Sequence, residues 1–353
     1  MALTTINNLT AETKWSSLIF QEALAATAFN KGAPFMGTGP ENIIQINEDL
    51  GEGKSGNQIK TTLFMRLRGQ GVTGDNVMEG QEEQLVSYEM AVYINQLRNS
   101  VKLKGRMEEK KTKINLRKQS KTALRQWLAE YSEQLIFDHL CGNTAATFGQ
   151  TATAPLPASG NNNRLLYGGD ATTKATIATT TTFGAQEIDR MVTYAKISSP
   201  KIQPVSVEGG TYFVLFVHPY QANDLRNDSR WLNAMYQAAD RGLKNPIFSG
   251  ALGIYNGVVV YENERILTGS DAGSDSLQPW ARAILLGRQA AILAKGGGDS
   301  WNEETDDRGN QQVYTIGSIF GVKKSVFPID GSDRDLGVIA CDTYATVPAG
   351  VAH

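Results

Sequence analysis

Hydrophobic and polar positions alternate over two segments in the first third of the chain. Residues 57–68 and 82–104 are rich in Ile, Thr, Val, Leu and Tyr, and partial alternation of this kind is typical of strands. The residues between them are dense in Gly, Asp and Asn, which tolerate turn conformations. The pattern predicts a long two-stranded hairpin. Because isolated hairpins are marginal in water, it must lie on its own domain or on another subunit.

A helical period follows at once, over residues 107–141, which contain no Pro and no Gly. Gly142 stands where a helix C-cap belongs. The pattern predicts one unbroken helix of about 50 Å at ~1.5 Å per residue, and it places Trp127 and Tyr131 in the core. At ~100° steps the apolar residues gather on one side: Leu116, Ala123, Leu124, Trp127, Tyr131, Leu135 and Ile136. The basic residues gather on the adjacent side: Lys110, Lys113, Arg117, Lys118, Lys121 and Arg125.

The remaining patterns are shorter. An amphipathic helix is predicted at residues 14–30, and the Thr/Ala-rich stretch 143–184 is interpreted as a surface excursion or irregular strand rather than core. Helices and buried strands mix from residue 185 onward. The predicted helices are 185–198, 219–227 and 229–241, and the predicted strands are 43–46, 211–217, 258–261, 283–286, 290–294, 313–327 and 337–344. The last two strands are expected to return beside the long helix.

These elements indicate an α+β fold in five regions. They are an N-terminal arm with a short helix (1–56), the hairpin (57–105), a region with the long helix and the Thr/Ala-rich excursion (106–184), a compact α/β region (185–312), and a C-terminal β segment that returns to the long helix (313–353).

Charge is distributed unevenly. Residues 98–125 contain eleven Lys or Arg and two Glu, a local net of +9, whereas the whole chain of 353 residues carries −2. One interpretation is a face turned towards a polyanion. The other is a solvated helix face that pairs with acidic neighbours, such as Glu79, Glu82 and Glu83 of the next copy's hairpin. The sequence leaves both open.

Composition narrows the class of protein. No apolar run approaches the ~20 residues that span a bilayer, and the first residues lack the basic and apolar parts of a signal peptide, so a cytoplasmic protein without membrane contact is expected. Cys141 and Cys341 are interpreted as small buried hydrophobes.

Few residues suit catalysis. The three histidines are His139, His218 and His353, and no hydrolase, phosphate-loop or zinc motif is present. The acidic cluster Glu303, Glu304, Asp306 and Asp307 lacks the ligand spacing of a calcium loop and is interpreted as a solvated loop. We therefore expect no catalytic residue, no metal and no cofactor. A self-assembling shell protein explains the hairpin and helix; a nucleic-acid-binding protein explains only residues 98–125, and an enzyme without a recognisable motif explains nothing specific.

Several segments, in their order and spacing, resemble the major capsid proteins of tailed phages, which have the Hong Kong 97-type fold, and more narrowly the N-four-type podophage coat-protein family. The segments are GQGVTGDNVMEGQEEQL (69–85), RQWLAEYSEQLIFDHLCG (125–142), FVLFVHPYQANDLR (213–226), GALGIYNGVVVYEN (250–263) and LGRQAAILAKGGG (286–298). The resemblance covers about residues 15–344.

The resemblance implies roles for the regions. The hairpin would be the E-loop that overlaps a neighbouring subunit, the helix the spine of the peripheral domain, and residues 185–312 the axial domain. The intersubunit tip would comprise Val72, Val77, Met78, Glu79, Glu82 and Glu83, and the genome-facing stripe the six basic residues given above. Implied partners are copies of the chain in hexamers and pentamers, a separate scaffold protein, packaged double-stranded DNA bound without sequence preference, a portal and, in some relatives, decoration proteins. The implied location is the virion, after assembly in the bacterial cytoplasm.

Overall fold

The computed structural model describes residues 28–30, 35–51, 55–111, 115–157, 163–207, 210–237 and 251–347. Most of the helix predicted at 14–30, together with Lys113 and His353, lies outside these residues; Ala28–Asn30 form a single 3-10 turn. The described helices are α1 (Arg106–Lys111), α2 (Leu116–Cys141), α3 (Ala185–Ile197), α4 (Pro219–Asn227) and α5 (Ser229–Gln237).

Eighteen strands lie within the described residues. They are β1 (Met36–Gly37), β2 (Ile44–Asn47), β3 (Gln58–Phe64), β4 (Ser87–Tyr93), β5 (Asn95–Lys102), β6 (Leu165–Tyr167), β7 (Val205–Val207), β8 (Gly210–Val217), β9 (Ala251–Tyr255), β10 (Val258–Glu262), β11 (Thr268–Ala272), β12 (Gln278–Leu286), β13 (Ala291–Lys295), β14 (Ser300–Asp306), β15 (Gln311–Lys324), β16 (Val326–Ile329), β17 (Ser332–Asp335) and β18 (Val338–Tyr344).

Two sheets organise the fold. The six-stranded sheet has the order β1-β2-β13-β15-β14, with β5 also paired to β15. The eight-stranded sheet has the order β6-β18-β12-β8-β10-β9, with β11 on β12 and β7 on β8. Two antiparallel ribbons, β3–β4 and β16–β17, stand apart from both sheets. The β3–β4 ribbon is the predicted hairpin, and its second arm continues through Ile94 into β5 of the six-stranded sheet.

The long helix is shorter than predicted. It begins at Leu116, because the carboxamide of Asn115 accepts a hydrogen bond from the backbone N–H of Lys118 and so caps a new N-terminus. The predicted single helix is therefore two, α1 and α2. The 26 residues of α2 span about 39 Å at ~1.5 Å per residue. Gly142 ends it in the left-handed conformation (φ 71°), as predicted, and a Cβ there would lie 2.6 Å from the carbonyl oxygen of Thr153.

Helix α2 joins the two sheets. Near its start, Leu124 and Leu128 pack on Trp301 and Tyr314 of the six-stranded sheet. Its C-terminal half enters the main core between the sheets, where Phe137 lies 5.3 Å, centroid to centroid, from Phe216. Helices α3, α4 and α5 cover the opposite face of the eight-stranded sheet.

Trp127 and Tyr131 differ from the prediction. Their rings stack at 5.6 Å, but Trp127 is half-buried and the Tyr131 side chain is exposed, so they form the rim of the core rather than its interior.

The region boundaries need correction at three places. The strand β18 was expected beside the long helix, but it pairs with β12 in the eight-stranded sheet. The strands β13 and β14 were assigned to the compact α/β region, but they pair with β15 in the six-stranded sheet. The Thr/Ala-rich excursion supplies β6 to the eight-stranded sheet and buries Ile177 and Phe183, so part of it is core. The pairings of β18 with β12 and with β6 join strands far apart in sequence, which local patterns do not specify, whereas β14 pairs with the next strand in the chain.

The acidic cluster was interpreted as a solvated loop, but it lies largely on a strand. Glu303, Glu304 and Asp306 belong to β14, an edge strand of the six-stranded sheet, and Asp307 starts the 3-10 turn that follows. All four side chains are exposed, and charged side chains on an edge strand protect it from pairing with other strands.

Candidate intersubunit surfaces

The base of the hairpin is anchored to its own subunit. Ile59, Met90 and Val92 project from one face of the β3–β4 ribbon and are buried against Ile292 and Phe327. The hydroxyl of Tyr88 also donates to Asp330 at 3.2 Å. The base is therefore rigidly placed on the six-stranded sheet and the β16–β17 ribbon.

The outer part of the hairpin is uncovered. The strands end at Phe64 and begin again at Ser87, and the last backbone hydrogen bond across the hairpin joins Met65 N–H to the carbonyl of Val86 at 2.9 Å. Twelve large hydrophobic side chains are exposed among the described residues, and half of them lie within residues 64–86: Phe64, Leu67, Val77, Met78, Leu85 and Val86. We call residues 65–86 the distal segment. Such a concentration of exposed apolar side chains indicates a surface that another molecule covers.

The predicted tip residues are not equivalent. Val77 and Met78 are exposed, at 71% and 54%, and Glu79 is also exposed, whereas Val72 is half-buried. The Glu82 carboxylate accepts from the Gly80 N–H at 2.8 Å within the tip.

Glu83 has a role inside the hairpin. Its two carboxylate oxygens accept from the backbone N–H groups of Arg68 (2.6 Å) and Gly69 (2.5 Å), and these hydrogen bonds lower the pKa of the Glu83 carboxyl. Glu83 thus bridges the two arms. The sequence interpretation had placed it on the intersubunit contact.

The basic side of the long helix is partly neutralised by its own subunit. The Arg117 guanidinium donates twice to one carboxylate oxygen of Glu303 on β14, at 2.6 and 3.2 Å. Burial tends to raise the pKa of Glu303, yet hydrogen bonds from Arg117 and Trp301 and the nearby charge of Lys121 hold that pKa below its ordinary value. The ion pair follows the solvated-face interpretation, with the acid supplied by this chain rather than by a neighbour's hairpin.

The other basic residues of the predicted stripe differ in exposure and in their interactions. Lys110 and Lys118 are exposed, and neither forms an ion pair with a described residue. Arg125 is half-buried and interacts within the subunit. Lys113 lies outside the described residues. Of the predicted stripe, Lys110 and Lys118 are therefore the cations that the described subunit presents to an outside partner.

A buried ion pair fastens the end of the long helix to the eight-stranded sheet. Arg282 on β12 makes two parallel hydrogen bonds to the Asp342 carboxylate on β18, at 2.6 and 2.7 Å. Its remaining amino group donates to the carbonyl of Cys141, the last residue of α2, at 2.8 Å. The guanidinium thus satisfies a carbonyl that a helix C-terminus leaves without a partner.

A second buried pair holds the Thr/Ala-rich segment. Lys324 on β15 contacts Asp335 on β17 at 2.8 Å, and both side chains are almost fully buried. The Lys324 ammonium also donates to the Ala154 carbonyl, and Asp335 accepts from the Leu156 N–H at 3.1 Å. Burial lowers the pKa of Lys324 and raises that of Asp335, while each charge opposes the shift of the other.

The described histidines have structural positions. His139 is buried on α2, and neither ring nitrogen has a hydrogen-bond partner among the described residues. Burial, helped by the charges of Lys323 and Lys324, lowers the pKa of His139 to about 4, so the ring is neutral at pH 7. His218 is the N-cap of α4, where its ring accepts from the Tyr220 N–H.

The two cysteines also have structural positions. Cys141 and Cys341 are buried and unpaired, as predicted, and burial raises the pKa of the Cys141 thiol to about 11. No group of three or more metal-ligating side chains is found in the described part of the chain. Within it, no helix is both long and apolar enough to cross a bilayer.

Comparison with known proteins decides the identity. A model of the family described as phage capsid protein matches residues 3–347. The chain belongs to the phage capsid protein family.

Relatives agree along nearly the whole length. The chain is similar to the major capsid protein of Pseudomonas phage KPP25, with 28% identity over 93% of each chain. Among solved structures it is similar to the capsid of Ralstonia phage GP4, with 35% identity, a TM-score of 0.80 and coverage of 99% of this chain and 100% of the other. It also resembles the capsid subunit of cyanophage Pam1, with 26% identity, a TM-score of 0.75 and coverage of 91% and 94%.

The predicted fold and function are thereby confirmed. The chain is a major capsid protein with the Hong Kong 97-type fold, it associates with its own copies in a shell, and it is part of the virion. The family is a structural one. The narrower resemblance to the N-four-type coat proteins stays a prediction.

Two features of the capsid subunit escaped the sequence interpretation. Arg282 sits inside the otherwise apolar strand β12, and a single Arg there is a sign of a buried partner that could have been noticed. The cations at the start of the distal segment, Arg66 and Arg68, lie outside the basic segment 98–125.

Proposed function

We propose that the distal segment is the contact through which subunits join into the hexamers and pentamers of a closed icosahedral head. The observation that carries the proposal is the concentration of exposed apolar side chains on residues 65–86 and the adjoining Phe64. The anchored base fixes where the hairpin leaves the subunit. From Phe64 the chain can extend at most about 40 Å to the tip, far enough to reach an adjacent subunit.

Assembly of the purified chain tests this. The subunit, alone and co-expressed with candidate scaffold proteins, is followed by sedimentation and negative-stain electron microscopy at increasing concentration. We expect closed particles of uniform diameter that form above a threshold concentration. A monodisperse monomer at every concentration and with every scaffold candidate would contradict the proposal.

A second role is proposed for the exposed part of the basic side. Lys110 and Lys118 face packaged double-stranded DNA, with which they make contacts that do not depend on sequence. Their exposure supports this, since duplex DNA carries about one charge per 1.7 Å and cations offset its repulsion from the shell. The proposed partners further include a separate scaffold protein during assembly in the bacterial cytoplasm, a portal and, where present, decoration proteins.

The variant Lys110→Gln/Lys118→Gln tests the DNA contact. We expect shells of normal size and number that release DNA at lower salt, because fewer phosphates are neutralised. The matched control, Lys196→Gln/Arg230→Gln, removes two exposed charges elsewhere and should retain DNA as the unmodified protein does. Failure of the first variant to form shells would instead assign these lysines to a subunit contact.

A further inference from the structure

A cavity of about 510 Å³ opens where the hairpin leaves the subunit. The hairpin supplies Phe64, Arg66 and Arg68 to one wall, and the end of α3 with the following turn supplies Ile197 and Lys201 to the other. We call this cavity the basal groove.

The groove exposes apolar surface at its walls. Ile197 is 74% exposed and Phe64 is 64% exposed, and Ile197 is the most exposed of the large hydrophobic side chains in the described residues. Side chains of this kind serve as anchors when a partner covers them.

The groove is also positively charged. Four cationic side chains line it, Arg66, Arg68, Lys201 and Arg288, against the single carboxylate of Glu41. That carboxylate is already paired with Arg288 at 2.6 Å. Arg68 donates to the Ser199 hydroxyl at 3.1 Å, which holds the hairpin wall against the turn after α3, and its charge also helps to lower the pKa of Glu83.

The tip of the hairpin has the complementary character. Residues 69–97 contain no Lys or Arg. Asp75 and Glu79 are exposed at the tip, next to the exposed side chains of Val77 and Met78. An acidic and apolar tip therefore matches a basic and apolar groove in both respects.

Other occupants fit less well. The subunit's own tip does not fill the groove, because Val77 and Met78 remain exposed. DNA would match the cations but would leave Phe64 and Ile197 uncovered, since the duplex surface is lined by phosphates.

We infer that the basal groove of one subunit receives the hairpin tip of the adjacent copy. The inference rests on the proposed role of the distal segment and adds the surface that receives it. The contact is head-to-tail, because the tip and the groove are different surfaces of one chain, and head-to-tail contacts form rings when the rotation between neighbouring copies closes. Rings of this kind fit hexamers and pentamers.

Charge reversal on each side tests the pairing. The groove variant is Arg66→Glu/Lys201→Glu, the tip variant is Asp75→Lys/Glu79→Lys, and the third protein combines all four substitutions. The chosen tip residues make no hydrogen bond that holds the hairpin together, unlike Glu82 and Glu83.

We expect each reversal alone to raise the threshold concentration for assembly about tenfold, because like charges then face each other across the contact. The combined variant should return to within about threefold of the unmodified protein, since opposite charges are restored. Such recovery also shows that the substituted subunits fold. The control Arg230→Glu/Arg308→Glu, which reverses two exposed charges outside the groove, should assemble normally.

Normal assembly of the groove variant would overturn the inference, and so would two impaired single-side variants that the combination fails to rescue. Either result leaves the hairpin contact standing. Normal assembly after removal of the tip itself would instead refute the proposed function.

Discussion

Deleting residues 72–80 will give a subunit that folds but no longer forms closed shells. The deletion removes the exposed Val77 and Met78 together with the acidic tip, but it takes away little buried surface. It also spares the Glu83 bridge to Arg68 and Gly69, so the two arms remain joined. We expect a midpoint of thermal unfolding within about 2 °C of the unmodified subunit, because surface changes of this kind rarely alter stability.

Two control variants show whether the tip side chains, rather than the length of the hairpin or the loss of any exposed apolar residue, are responsible. Replacing residues 72–80 by nine Gly and Ser residues keeps the reach of the hairpin but removes the contact, and should impair assembly equally. Leu277→Ser removes an apolar side chain that is 73% exposed elsewhere on the subunit, and should assemble normally. Closed particles of normal size from the deletion variant would show that the tip is not a subunit contact.

The largest loss of stability is expected from Lys324→Met. The substitution leaves Asp335 buried without its cation, and removing one partner of a buried pair costs about 3–5 kcal/mol. The Thr/Ala-rich segment should loosen with it, because Ala154 and Leu156 are held by this pair. Denaturant unfolding of the subunit measures the change in the free energy of unfolding.

The pH dependence gives this prediction a second test. Burial raises the pKa of Asp335, and without Lys324 only the smaller effects of the Leu156 N–H and the Arg164 charge oppose that rise. A carboxyl whose folded-state pKa lies above its unfolded value adds stability at low pH that is lost as pH rises through the folded-state pKa. The deficit of Lys324→Met relative to the unmodified subunit should therefore shrink as the pH is lowered.

Two further variants test whether the loss of stability comes from the unpaired Asp335. Lys323→Met alters the adjacent lysine, which is only half-buried and donates to the Ala91 carbonyl, and should cost less. The double variant Lys324→Met/Asp335→Asn should recover part of the loss, because an amide oxygen still accepts from the Leu156 N–H and neither position of the pair carries a charge. Equal stability of Lys324→Met and the unmodified subunit would mean that the pair contributes nothing.

The sequence predicted the strands and helix ends that depend on residues close together in the chain. The continuous apolar runs of β8 and β10 are short and rich in β-branched and aromatic residues, which favours buried strands, and Gly142 ended α2 because its position needs a left-handed residue. The break before α2 is not marked by Gly or Pro, so the absence of these residues did not predict it. Asn115 is an N-cap residue, and its presence after the β-branched Thr112 and Ile114 pointed to a new helix start.

Which strands pair with each other could not be derived from the sequence in the same way. The strand β18 has the same apolar pattern as a strand of either sheet, and only the pairing of Asp342 with Arg282 and its register against β12 place it in the larger one. The Thr/Ala-rich segment looked like surface because its apolar residues are sparse, yet Phe183 and Ile177 are buried. Such contacts depend on residues far apart in sequence.

Some surface features could be predicted from the sequence and others could not. An apolar Gly-rich tip is evident in the sequence, so Val77 and Met78 could be chosen from it. The pairing of Arg117 with Glu303 joins residues 186 positions apart and reduces the charge that the basic helix presents. The basal groove brings the hairpin and the end of α3 together, and neither segment alone indicates it.

A cryo-electron microscopy reconstruction of the assembled shell, at a resolution that shows side chains, tests the central claim most directly. The expected map has the distal segment of each subunit lying on an adjacent copy, with Val77 and Met78 buried between Phe64 and Ile197 of its basal groove. A map in which Val77 and Met78 of every copy remain exposed to solvent, or pack on their own subunit, would contradict it.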